Sequence, residues 1–347
     1  MTTISTLGQH LRLQARVQQT RSELNRLTGE VASGTHADYF AGLGSQSGRG
    51  LAMRSAFQQV SFHQEAGAVV GSQLDGQQLA IGQVKDIAQT VRDLMLSVQS
   101  GADSNAVRTI NDGAASYLEQ ARAAINQSYA GQFLFSGPAT GTAPLRAVDA
   151  AGADGLSSAS VLQTIKEGHD LKTVEGMRAF LDEVHTVFAG TSSDPARSFD
   201  TLFYAGATGG TMKGIVDTGI EVSTDVRAND PAFRTVLEAL NVLAAVPAEE
   251  ASPESFAVLA QAMGDRLGAG VSQTLALSAT VGHRQNQVQE TLERHERMAN
   301  LLSTGLSELE SIDDYAASAR LSELQAQLET SYAITGRLSR LSLVNYL

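Results

Sequence analysis

Cysteine and tryptophan are both absent from the 347 residues, and proline occurs only six times. Without cysteine there is no disulfide framework, no thiolate metal site and no cysteine nucleophile. Aromatic residues make up only 5% of the chain, so most helix faces must pack through Ala, Leu, Val, Ser and Gln. Small side chains allow close helix approach but bury little each, and such helices need company. No apolar run approaches the length of a transmembrane helix, so membrane insertion is not expected. Positive charge is scarce too. The formal net charge of −12 argues against nucleic acid, because phosphate binding requires clustered Lys and Arg. The opening segment MTTISTLGQHLRLQARVQQTRSELNRL has no continuous apolar core and carries Arg throughout. It is not a secretory signal peptide, and an exported form is expected to leave without a cleaved one.

Sites of chemistry are equally sparse. No pair among the seven histidines has i, i+3 or i, i+4 spacing, and no HExxH occurs, so no metal is expected. His63, His283 and His295 read as helix-surface residues. The glycines at 42, 44, 48 and 50 miss the dinucleotide fingerprint, with Ser47 where a glycine is needed, and no Gly-Lys-Ser/Thr follows. There is no G-x-S-x-G elbow, and Asp313-Asp314 reads as a solvated helix surface. Neither an enzyme nor a cofactor is expected.

What the chain does have is two matched amphipathic ends. Leu13, Val17, Leu24, Leu27 and Val31 follow alternating four- and three-residue steps, with Thr20 filling one polar slot. Leu321, Leu324, Leu328, Ser331, Thr335 and Leu338 repeat that rhythm, and the apolar run LSLVNYL adds Leu341, Val344 and Tyr346. A stripe of this period seeks a partner helix. Four arginines against two glutamates leave residues 1–33 at +2, whereas six acids against three arginines leave 302–347 at −3. Opposite signs favour pairing of the two, although each exposed ion pair contributes under about 1 kcal/mol. Two such helices bury too little to stand alone, and packing against other subunits is the expected remedy.

Between these ends the character changes twice. Ser5 or Thr6 is the expected cap of a first helix that ends at Ser33-Gly34. A Gly- and Ser-rich connector over 34–50 follows. Helical periodicity returns over 51–100 and, after the turn SGADSN, over 106–130; the short loop sets these two helices antiparallel. From Gly131 the pattern predicts a strand and loop (GQFLFSGPATGTAPL), weak signal over 145–170, a helix over 174–189, and strands in SFDTLFYAG and TMKGIVDTGIEVSTDV. The last of these turns at Asp217-Thr218-Gly219. This segment reads as low in aromatics and rich in turns. Asp230 caps a helix over 229–246 with Pro231 at its first position. A long helix over 254–300 then meets the terminal helix at Gly305. The expected fold is mainly α: a long antiparallel helical bundle or coiled coil built from both chain ends, with a small α+β insert. Three parts are expected: 1–35 with 302–347, 36–130 with 228–301, and the insert 131–227.

Four segments in this order resemble the bacterial flagellin family: residues 4–34, ending on Ser-Gly; GQFLFSGPATGTAPL; RANDPAFRTVLEALNVLA (227–244); and LSLVNYL. The second and fourth are similar to the family's hook–filament junction branch, since filament flagellins more often end on a Leu-Leu-Arg tail. The loop GTHADYFAGLGSQSGRGL lacks the acidic pair and proline usual there, so none of that loop's contacts is carried over. The resemblance implies an extracellular structural subunit of the flagellum whose terminal helices pair in an inner core. It also implies self-association in a helical assembly. Its partners would be a hook-associated junction protein on the hook side, flagellin on the filament side, and a flagellar export chaperone before secretion. A filament flagellin and an intracellular coiled-coil scaffold are the alternatives.

Overall fold

The computed structural model describes the backbone of residues 3–100, 104–152 and 154–344. Long helices dominate, with only two small antiparallel sheets among the described residues. The chain divides into two compact units, Met1–Phe62 with His295–Leu347 and His63–Arg294.

The terminal unit is built on α1 (Thr3–Ser33) and α10 (Asp314–Val344). The helix starts at Thr3, so Ser5 and Thr6 lie inside its first turn, and the capping position falls outside the described residues. Gly34 ends α1 as its sequence predicts: at φ +72° it takes the left-handed conformation, and its amide donates to Glu30 O at 2.7 Å. The connector is more ordered than its composition implies. It holds α2 (Tyr39–Leu43) and one 3₁₀ turn (Gly44–Gln46), and α3 (Ser47–Ser100) already starts at Ser47. The buried carboxylate of Glu30 explains part of this order, accepting from the Ala37 amide at 3.0 Å and from Arg26 at 2.6 Å.

The long helix after Pro253, α9 (Pro253–Glu310), passes straight through Gly305. That glycine is a point of close approach, since an added Cβ would lie 2.4 Å from Met53 Cε. The joint falls instead at Ser311–Asp313. There Thr35 and Ser311 form an antiparallel bridge, His36 N donates to Glu310 O and Ile312 N to Gly34 O, each at 3.1 Å. Asp313 Oδ1 then caps α10 through the Ala316 amide at 3.0 Å.

The second unit holds the hydrophobic core. α3 contributes Val84, Ala88, Val91 and Met95, and α4 (Ser104–Ile125) contributes Ile110, Ala114 and Ala121. α8 (Pro231–Ala245) adds Phe233, Val236 and Leu240, and α9 adds Leu259, Met263 and Leu267. α8 starts as predicted, with Asp230 capping Ala232 N at 2.9 Å and Pro231 first in the helix. α3 and α9 run in opposite directions, as Gln99 Nε2 donating to Ala260 O (3.0 Å) and Gln285 Nε2 to Asp75 Oδ1 (2.6 Å) show.

The inserted segment is α+β. β1 (Ser128–Tyr129) pairs with β2 (Gln132–Phe133), and β3 (Lys213–Asp217) pairs with β4 (Ile220–Ser223) about the predicted turn. α6 (Val174–Ala189) matches its predicted range. α5 (Ser158–Glu167) falls in the weak-signal stretch, because its capping box closes with Ser160 instead of the usual Glu or Gln. SFDTLFYAG is not a strand. Ser198 caps Thr201 N and starts α7 (Phe199–Leu202), since Phe199, Leu202 and Phe203 bury at helical spacing; only Tyr204 bridges, to Leu145. Nor is the segment poor in aromatics where it matters. Phe135, Phe180, Phe188, Phe199 and Tyr204 are fully buried, and Phe135 meets Phe233 edge-on at 5.3 Å.

Candidate assembly surface on the terminal helices

α1 and α10 pack against each other in opposite directions. The Thr35–Ser311 bridge marks one end, and the Arg21 guanidinium over the Tyr332 ring, 5.7 Å from its centroid, lies further along. Running back along the pair from that contact, Leu24 comes close to level with Leu328, Leu27 with Leu324 and Val31 with Leu321. The two stripes therefore share one seam. Leu27 and Leu324 are buried on it, at 5% and 4% exposure. Leu13, Val17, Thr20, Leu24, Val31, Leu321, Leu328, Ser331 and Thr335 are each half-buried. The side chains of Leu338, Leu341 and Val344, and the whole of Tyr346, lie outside the described residues.

The seam is thin. Of the described side chains in the terminal unit, Leu27, Leu43 and Leu324 are the buried apolar ones, and the hydrophobic core cluster draws every member from residues 63–294. Around the seam sit apolar residues off the stripe: Leu11 at 57% exposure, Tyr315 at 92%, Tyr332 and Ile334 at 44%. Leu11, Leu13, Val17, Arg21, Tyr332 and Thr335 border a groove of about 480 Å³ between α1 and α10. Sequence periodicity missed Leu11, Tyr315 and Ile334 because they fall between stripe positions. Their signal was simply a large apolar residue on a face that should be polar.

Charge acts within each helix more than across the pair. Arg26 bridges Glu23 and Glu30, both at 2.6 Å, and Arg320 bridges Glu323 at 2.5 Å. The hydrogen bond from Arg26 holds the Glu23 carboxyl below its ordinary value; burial opposes this, and the charges of Arg26 and of Arg320 on α10 add to it. Arg26 is raised in turn, chiefly by its bond to Glu23.

Among the described residues no three His, Asp or Glu side chains gather as metal ligands, and no helix is long and apolar enough to cross a membrane. His63 and His295, expected on the helix surface, are buried at 8% and 5% exposure; Thr218 Oγ1 lies 3.3 Å from His63 Nε2. The hairpin β3–β4 lies against α3 there, which single-helix periodicity cannot foresee.

A self-contained core in one unit and an underfilled helix pair in the other define a structural protein of assembling type. Family models agree. The bacterial flagellin N-terminal helical region matches residues 4–140, and the bacterial flagellin C-terminal helical region matches 265–347. The chain belongs to the bacterial flagellin family and is a structural protein of the flagellum. No curated protein matches it in sequence. Among solved structures it is similar to a Vibrio parahaemolyticus protein described as flagellar hook-associated, with TM-score 0.49 and 13% identity over 76% of this chain and 97% of that one. It is also similar to FlgL of Bacillus cereus, with TM-score 0.42 and 12% identity over 76% of this chain and 100% of that one.

Proposed function

We propose that this protein is the adaptor at the hook–filament junction, of the hook-associated protein 3 type, and that it polymerises through its terminal helices. The observation that carries the assembly part is the placement of the core. Among the described residues every member of the hydrophobic core cluster lies within 63–294, while the α1–α10 seam leaves most of its stripe only partly buried. A helix pair so poorly filled gains most by packing against neighbouring copies. A subunit with different surfaces above and below repeats head to tail and propagates as a helix. In this reading Leu13, Val17, Leu24, Leu27, Val31, Leu321, Leu324, Leu328, Leu338, Leu341, Val344 and Tyr346 form the assembly seam. Residues 1–35 with 302–347 line the inner core, 36–130 with 228–301 surround it, and 131–227 faces outward. A hook-associated protein contacts it on the hook side and flagellin on the filament side. An export chaperone holds it before secretion without a cleaved signal peptide.

The junction position rests on segment 131–145 and on LSLVNYL, which resemble that branch of the family. A deletion strain tests it. Loss of a junction adaptor should leave complete hooks and release unassembled flagellin into the medium. Loss of a filament flagellin should instead leave no filament subunit in the medium, and that result would sink the junction reading.

A further inference from the structure

Gln77 lies on α3 with only 2% of its surface exposed. Its side-chain nitrogen donates to two backbone carbonyls, Leu134 O at 3.0 Å and Thr224 O at 2.8 Å. One carbonyl belongs to the stretch on which the inserted segment leaves the helices, and the other to the stretch on which it returns. The same two stretches are tied to each other by the Ser136–Arg227 bridge and by Ala228 N donating to Phe135 O at 2.9 Å. A single side chain thus holds both crossings of the insert to one helix.

This arrangement fixes the amide. Turning it over would set Oε1 against two carbonyl oxygens, so the nitrogen must face them. Oε1 is then left buried, with no hydrogen bond from the protein. A buried acceptor in that state is costly and calls for a donor. Gln77 borders a cavity of about 20 Å³, lined also by Gln73, Thr140, Met212 and Thr224. A site needs roughly 10–15 Å³ of such space for one water, together with two to four polar partners. The cavity has room for one water, and Thr140 and Thr224 line it with Gln77.

We propose that this cavity binds one ordered water that donates to Gln77 Oε1, with the hydroxyls of Thr140 and Thr224 as its further partners. The water completes the hydrogen bonding of Gln77 and so sets the amide that clamps the insert to α3.

A crystal structure of the full chain, at a resolution that shows ordered solvent, decides the water. The expected result is one solvent peak about 2.6–3.2 Å from Gln77 Oε1 with a second contact to Thr140 or Thr224. A dry cavity, or Oε1 bonded to a protein donor, overturns the proposal. The clamp has its own test in hydrogen exchange of the Gln77→Met variant, which keeps the side chain's length and removes the amide. Exchange at the Ala228 amide should rise at least about tenfold, as expected when both of the hydrogen bonds donated by Gln77 are lost, with α4 unchanged. Unaltered exchange at Ala228 would remove the clamp. The water is decided by the wild-type chain alone, so a variant that fails to fold leaves that result intact.

Discussion

Leu27 and Leu328 lie on the same side of the Arg21–Tyr332 contact and on the same seam, yet one is buried and the other half-exposed. Their alanine variants should separate folding from assembly. Leu27→Ala should destabilise the helix pair by about 2–3 kcal/mol, the usual result of emptying a buried leucine site. Far-ultraviolet circular dichroism would show it as an earlier loss of helix. Leu328→Ala should cost less in the monomer, about 1–2 kcal/mol, since its site is only partly enclosed, but should suppress polymerisation in light scattering. Equal effects of the two on both readouts would remove the distinction. Glu23 adds a pH dependence. Its carboxyl is held below the ordinary glutamate value, so its contribution is present above that value and is lost as pH falls through the lower folded one. Protease trimming of α1 should quicken on acidification through that range, and Glu23→Gln should flatten the dependence. Because the pair is exposed, the effect is small.

At the scale of elements, two features depend on neighbours. Asp313 is the cap that ends the break between α9 and α10, and Asp313→Ala should cost about 1 kcal/mol of terminal helix. Amide exchange at Ala316 would report it. Gly214 on β3 lets the hairpin approach α3, since a Cβ there would lie 2.1 Å from Val70 Cγ2. Gly214→Ala should lower stability by about 1–3 kcal/mol in a thermal melt, the range for overpacking. An unchanged melting temperature would mean the hairpin shifts freely. Both sites show why the sequence was only partly legible. α8, the β3–β4 turn and the end of α1 followed from local signals such as Asp230-Pro231, Asp217-Thr218-Gly219 and Gly34. α7 did not, because a run of Phe, Leu and Tyr buries equally well at either period. Gly305 misled for a similar reason: a glycine that permits close packing looks in sequence like one that ends a helix.

For the molecule as a whole, the division of the core makes a prediction about opening. Limited proteolysis of the monomer should trim roughly 1–35 and 300–347 first, while 63–294 persists as a resistant fragment. Resistant terminal helices would count against neighbours completing the seam. Removing 341–347 should abolish polymerisation and leave that fragment's stability unchanged. Growth of normal filaments with the truncated protein would show that the seam assembles without it.

The helical class, the family and the two stripes were all readable from the chain alone, because periodicity and capping are local and survive without knowledge of contacts. Leu13, Val17, Leu24, Leu27 and Val31 could be assigned to one face for that reason. Which of those positions are filled is a matter of three-dimensional packing. Burial depends on how the facing helix fills each position: Leu27 and Leu324 are buried, while Leu24, Val31, Leu321 and Leu328 are only partly covered. Packing likewise set Phe135, Phe199 and Phe233 in one core with α3 and α9, buried two histidines, and let Gln77 hold both crossings of the insert. Most of these are contacts between residues far apart in the chain, and no spacing along it encodes their meeting.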